Sequence, residues 1–144
     1  MAGYADTSFL VSLYLPDANS SRARSLMQSR PSLVLTPLHE LEVTSALELA
    51  VFRKAVAPRQ ARDVRRNFEQ DLASIFTPSP LPEDTYLMAT QMARRRSARL
   101  GTRTLDILHV AAAKLLKAEC FYSFDGRQVR LAAAEGLKVL PAMK

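Results

Sequence analysis

With 144 residues, 48% of them hydrophobic and 24% charged, the chain is the size of one compact domain that buries roughly two-thirds of its unfolded surface. Its single cysteine, Cys120, excludes an internal disulfide and a multi-cysteine zinc site and favours a reducing, cytoplasmic setting. No apolar run approaches the roughly 20 residues of a membrane-spanning helix, while a net charge of +6 attracts polyanions or simply keeps the chain in solution.

In chain order, Tyr4-Ala5 reads as a short buried strand, after which Thr7 or Ser8 can cap a helix that Pro16-Asp17 stops near Leu15. A second helix is predicted from about Ala18 to Ser29. Leu33 to Thr36, an apolar, β-leaning run between Pro31 and Pro37, is a strand. Leu38 to Lys54 is helical in pattern, and Pro58 opens another helix as a first-turn proline. Ala61, Val64, Phe68, Leu72 and Ile75 give that helix one apolar stripe. Thr77 to Pro82 is a breaker cluster too short to separate two folded units.

A further helix runs from about Pro82 into Arg94-Arg95-Arg96. Leu105 to Lys117 is apolar nearly all round, as in a buried helix. Cys120–Ser123 is a strand, Arg127–Glu135 a helix stopped by Gly136, and Leu137–Leu140 a last strand. Strands alternating with helices over residues 1–144 predict a single α/β domain, with a mainly parallel sheet covered by helices on both faces.

Against this basic, apolar background four acids stand out. Asp6 and Asp125 each end an apolar run, and ligands of open parallel sheets bind beyond the carboxyl ends of the strands. On a helical wheel Glu42 shares a line with Leu38, Ala46 and Leu49, which places it in an inward stripe, whereas Glu40 points almost opposite. Asp106 lies in line with Val110 and Ala113 near a helix N-terminus whose dipole tolerates a carboxylate. Several inward carboxylates at one edge repel one another unless a divalent cation binds them, and an all-oxygen donor set favours Mg²⁺ or Mn²⁺ over Zn²⁺. Singly, each acid also has a plain structural reading: Asp6 a helix cap, Asp125-Gly126 a turn, Asp106 a dipole-stabilised helix start. Glu42 has the weakest such reading, because Arg53 is nearly three turns away and an unpaired glutamate in an apolar stripe is costly.

Four blocks in order, Asp6-Thr7-Ser8, Glu42-Val43-Thr44-Ser45-Ala46-Leu47, Arg103 through Asp106 to Ala111, and Phe121-Tyr122-Ser123-Phe124-Asp125, resemble PIN-domain proteins. The resemblance covers essentially the whole chain and is nearest to the VapC-like toxins of bacterial toxin–antitoxin pairs. It implies an α/β/α sandwich and a Mg²⁺- or Mn²⁺-dependent endoribonuclease whose metal-holding catalytic acids are Asp6, Glu42, Asp106 and Asp125. The implied chemistry is hydrolysis by metal-activated water, leaving 5′-phosphate and 3′-hydroxyl ends, with no covalent protein nucleophile. The hydroxyl residue after the first acid falls on Thr7 or Ser8. Ser123 stands where the family frequently has threonine. The resemblance also implies a cognate antitoxin, a toxin homodimer and RNA as substrate.

Among the remaining candidates, His109 shares a helix face with Asp106 and can orient it, touch RNA, or be a satisfied buried histidine. His39, beside the solvated Glu40, is expected at the surface. Arg99 and Arg103 lead as phosphate contacts, and Arg94-Arg95-Arg96 can serve the helix dipole equally well. Phe9, Leu10 and Leu13, with the two helices after residue 37, carry enough apolar surface for a partner groove, although core packing accounts for most of it. Two other functions stay open. A haloacid-dehalogenase-like phosphohydrolase also starts from a strand-end aspartate, but needs an acid where Ser8 stands. A non-catalytic RNA- or protein-binding module would be expected to have lost some of the four acids.

Overall fold

The structure is a computed structural model and describes residues 2–142. Its apolar runs form five short strands: β1 (Tyr4–Ala5), β2 (Leu33–Leu35), β3 (Phe76–Pro78), β4 (Phe121–Tyr122) and β5 (Val139–Leu140). Two parallel ladders, β1-β4-β5 and β2-β3, meet at Gly3. The Gly3 amide donates to Ser32 O at 2.8 Å and its carbonyl accepts from Val34 N–H at 2.9 Å. The spatial order is therefore β3-β2-β1-β4-β5, all parallel, as the strand–helix alternation predicts.

Seven helices flank these strands: α1 (Thr7–Tyr14), α2 (Ser20–Leu26, extended by a 3₁₀ turn Met27–Ser29), α3 (Pro37–Phe52), α4 (Pro58–Asp71), α5 (Thr85–Leu100), α6 (Thr104–Leu115) and α7 (Gly126–Ala134). Successive strand residues point to opposite faces, so the central strands feed two cores. Ala5, Leu33, Leu35 and Tyr122 pack with α1 to α4 through Phe9, Leu10, Val43, Leu47, Val64 and Phe68. Tyr4, Val34 and Phe121 pack with α5 to α7 through Met92, the buried run Ile107–Ala113, and Leu131. The result is the three-layer α/β/α sandwich. Among the described residues no helix is long and apolar enough to cross a membrane.

The chain leaves β1 toward β2 and β3 on one side, then returns to place β4 on the other. The crevice between the carboxyl ends of β1 and β4 is thus the point where strand order reverses, where open α/β sheets bind ligands. Register brings the segments together there: Ala5 pairs with Tyr122, and Asp6 N–H donates to Tyr122 O at 3.0 Å. Asp6 and Ser123–Asp125 emerge side by side.

Three expectations change. Phe76–Pro78 is a strand and not only a breaker segment; at the edge of the sheet a proline is tolerated, because its missing N–H faces no neighbouring strand. His39 is fully buried, contrary to its expected surface position. Its Nδ1 accepts from Thr36 N–H at 3.0 Å, so Nε2 carries the proton and donates to Ala5 O at 2.9 Å. Burial, and then the nearby His109, push the His39 ring down to about 3, so it folds as a neutral tether between α3 and β1. The buried stripe of α3 is His39, Val43 and Leu47, one residue away from the predicted line. Leu49 is exposed, and Glu42 sits at the edge of the stripe instead of its middle.

Candidate active site

Three of the four acids stand at helix N-termini. Asp6 follows β1 directly and caps α1 itself, the cap reading the sequence already left open for it, in place of Thr7 or Ser8. Its Oδ1 accepts from Phe9 N–H at 3.0 Å and from Ser8 Oγ at 2.6 Å, and its Oδ2 accepts from Ser123 Oγ at 2.5 Å. Both serines are braced from behind, since Ser8 Oγ accepts from Phe124 N–H at 3.1 Å and Ser123 Oγ from Asp125 N–H at 3.0 Å. Asp6 is almost completely buried, and that desolvation raises its pKa; the two hydroxyls and the Phe9 amide offset part of the rise.

Asp125 caps α7, with Oδ1 accepting from Arg127 N–H at 2.9 Å and Gln128 N–H at 3.4 Å. Asp106 lies in the first turn of α6, where its Oδ2 accepts from Arg103 N–H at 3.2 Å. Glu42 is different, because it lies mid-helix on α3, where backbone amides are already committed to the helix. Its Oε1 is instead met by Nε2 of His109, whose Nδ1 is 2.7 Å from the Tyr4 hydroxyl. His109 is therefore a satisfied buried histidine whose partner is Glu42, not Asp106.

All four acids, with Thr7 and Arg103, line one cleft of about 460 Å³. Three helix N-termini turn their positive ends toward it. Arg103 stands at the rim, 69% exposed, with Nε 3.9 Å from Asp106. Arg99 is exposed but does not line the cleft. Arg95 and Arg96 belong elsewhere: both hold Glu135. Sequence reading passed over Gln128, buried at the cleft, whose Nε2 donates to Asp106 O at 3.3 Å. Its position three residues after Asp125, on the face of Leu131 and Ala132, was the available signal. Phe9 and Leu10 are core residues; of the predicted partner surface α3 does expose apolar side chains, Leu41, Leu49 and Phe52, and α5 adds Tyr86.

The donor set fits a hard cation. Among the described residues Asp106 Oδ1, Asp125 Oδ2 and Glu42 Oε2 take no hydrogen bond, and Asp6 Oδ2 takes only one. Thr7 Oγ1, also at the cleft, is the one buried side-chain polar atom among the described residues without a hydrogen-bond partner. No three acidic, histidine or cysteine side chains among the described residues already stand at metal-coordinating spacing, so the cleft presents oxygens facing a common space and not a closed cage.

An α/β/α sandwich with four acids at its strand-order reversal defines a class, and the PIN domain family model matches residues 4–134. The chain belongs to the PIN domain family. Solved structures agree in fold. The chain is similar to VapC20 of Mycobacterium tuberculosis, described as a sarcin–ricin loop cleaving toxin, at TM-score 0.70 and 21% identity over 94% of this chain and 96% of that one. FitAcB of Neisseria gonorrhoeae gives TM-score 0.70 and 17% identity over 94% of each chain. VapBC2 of Rickettsia felis, solved with a DNA fragment from its promoter, gives 0.67 and 12% over 96% and 97%. No sequence match is found among curated proteins.

Proposed function

We propose that the chain is a Mg²⁺- or Mn²⁺-dependent endoribonuclease acting as the toxin of a toxin–antitoxin pair. The observation that carries this reading is the convergence of Asp6, Glu42, Asp106 and Asp125, from four separate segments, on one cleft with oxygens left over. Among the described residues no lysine side chain and only one arginine, Arg103, lines that cleft, so carboxylate charge is in surplus there. Asp6, Glu42, Asp106 and Asp125 hold the cation, and Thr7 Oγ1 is free to join them or to meet a phosphate oxygen. When bound, a divalent cation supplies charge against the phosphate and acidifies the attacking water.

The chain's own residues do the positioning. Ser8 and Ser123 spend their hydroxyl protons on Asp6 and hold that carboxylate in one orientation. Ser8 therefore braces the aspartate where a phosphohydrolase would carry its general acid. Arg103 and the exposed Arg99 meet the RNA backbone, which the overall charge of +6 draws in. The neighbours described as a sarcin–ricin loop cleaving toxin and as complexes bound to DNA fragments, one of them from a promoter, support an RNA substrate and a DNA-binding antitoxin partner; the single cysteine fits a cytoplasmic setting. The exposed row Leu41, Leu49 and Phe52 on α3 supports protein partners, including a second copy in a homodimer.

The test is cleavage of RNA by purified protein with Mn²⁺ or Mg²⁺, with EDTA, and by Asp6→Asn. Cleavage that needs the cation and Asp6 is the expected result. Cleavage indifferent to both, or RNA binding with no turnover, overturns the proposal.

A further inference from the structure

Three acids of the cleft are held by backbone amides of their own helices: Asp6 by Phe9, Asp106 by Arg103, Asp125 by Arg127 and Gln128. That solution is closed to Glu42. It is the sixth residue of α3, past the first turn, so each amide near it is committed to a carbonyl four residues back. It is also the longest of the four side chains, with more rotamers to restrain, and it sits at the edge of a buried stripe beside open solvent.

The missing donor comes from the opposite side of the sheet's central strand. His109 on α6 reaches Glu42 Oε1 through Nε2, and Tyr4 of β1 reaches His109 Nδ1 at 2.7 Å. A carboxylate only accepts, so Nε2 carries the proton; in the neutral ring Nδ1 is then left to accept from the tyrosine. The tyrosine hydroxyl, buried and 2.7 Å from Nδ1, is the donor that this ring nitrogen accepts from. Tyr4 is itself immobilised, stacked on Phe121 with centroids 5.6 Å apart, and both it and His109 pack against the ring of His39. All three ring residues are buried.

We infer that Tyr4 and His109 are positioning residues that fix Glu42, with one oxygen tied to the imidazole and the other turned to the cleft. His109 does for the mid-helix acid what helix N-termini do for the other three. A ligand-orienting contact of this kind is worth roughly 10- to 100-fold in cation affinity. The inference rests on the reading of the cleft as a cation site, and its test separates the two.

Mn²⁺ affinity, measured by calorimetry without RNA, is compared for the wild type, Tyr4→Phe, His109→Leu and His109→Gln, alongside each unfolding midpoint. The expected result is a loss of 10- to 100-fold for His109→Leu, a smaller loss for Tyr4→Phe, and substantial recovery in His109→Gln, whose amide can still donate to Glu42. Wild-type affinity in all three variants overturns the inference. Should His109→Leu fail to fold, Tyr4→Phe and His109→Gln carry the same comparison. Nitrogen-15 NMR of the imidazoles in metal-free protein gives an independent readout: His109 should carry a hydrogen-bonded proton on Nε2, toward Glu42, and Tyr4→Phe should shift its Nδ1 resonance. A ring that samples both tautomers in the wild type overturns the relay. Failure of the wild type to bind Mn²⁺ overturns only the cation site.

Discussion

Two carboxylates with shielded side chains, Asp6 and Glu135, meet the cost of losing water in opposite ways. Glu135 ends α7 with a side chain only 2% exposed, and it is gripped by Lys114 Nζ, Arg95 and Arg96 Nε, each at 2.9 Å. Burial pushes its pKa up, but the hydrogen bonds from Lys114 and Arg96, with the charges of Lys114 and Arg95, outweigh it and bring it down to about 2. Asp6 receives two hydroxyls and one amide, all neutral donors, and its pKa is raised. The structural acid is over-compensated by cations of the chain. The cleft acid is oriented by neutral donors alone, which is what the proposed cation site requires.

The most direct way to break the comparison is to remove each charge in turn. Asp6→Asn should lower RNA cleavage by at least roughly 10²-fold, the scale of losing one preorganised charged group at a reacting centre. The same variant should be as stable as the wild type or more so, because a desolvated charge without a cationic partner is removed while the hydroxyl donors keep an amide oxygen. Glu135→Gln should do the reverse. It leaves cleavage intact and costs about 1–3 kcal/mol in urea unfolding, less than a fully buried pair because the three cations are partly exposed. A stable, active Glu135→Gln would show the cluster to be ornamental.

Acid titration sharpens the contrast. Glu135 is depressed in the folded state, so its contribution is fully present above its ordinary value and is lost as pH falls toward about 2. His39 is held neutral down to about 3, so below its ordinary value of about 6.5 the unfolded chain takes up a proton that the folded chain refuses, and stability falls with it. Unfolding followed from pH 7 downward should therefore weaken in two stages. His39→Gln should flatten the first stage, between about pH 6.5 and 3, and Glu135→Gln the second, from about pH 4.5 toward 2. Identical slopes in all three proteins would contradict both assignments.

Which of these features the sequence could disclose follows from how local their causes are. Tyr4-Ala5, Leu33–Leu35 and Phe121-Tyr122 are apolar runs bounded by breakers, and they were legible as parallel strands because nothing distant decides them. Asp6 and Asp125 were legible as edge residues for the same reason. Glu42 is less exposed than Glu40, as its wheel position predicts, but the wheel line is off by one residue, because the burial of His39 sets the stripe of α3. That burial depends on Ala5, 34 residues away, and no local pattern signals it. The Glu135 cluster was invisible for the same reason: its cations lie 21 to 40 residues upstream. Strand β3 was masked by Pro78, whose effect depends on knowing that the strand lies at an edge.

The smallest expected effect concerns the arginines, and it tests whether the two acids' surroundings are separate in function as well as in charge. Arg95 is committed to Glu135, whereas Arg103 stands 69% exposed at the cleft and uses its backbone amide, not its guanidinium, for the closer contact with Asp106. Arg103→Ala therefore keeps the Asp106 hydrogen bond, and beyond the longer 3.9 Å pairing it removes a cation from the proposed path of the RNA. RNA binding, measured with the Asp6→Asn protein to prevent turnover, should weaken several-fold, and the slope of log affinity against log salt should fall by roughly 0.7, the value for one phosphate contact on a single strand. Arg95→Ala should leave that slope unchanged and lower the unfolding free energy by up to about 1 kcal/mol, as expected for a half-exposed pair. If Arg95→Ala alters the salt slope while Arg103→Ala does not, RNA runs over α5 and α7, and the cleft is approached from the other side.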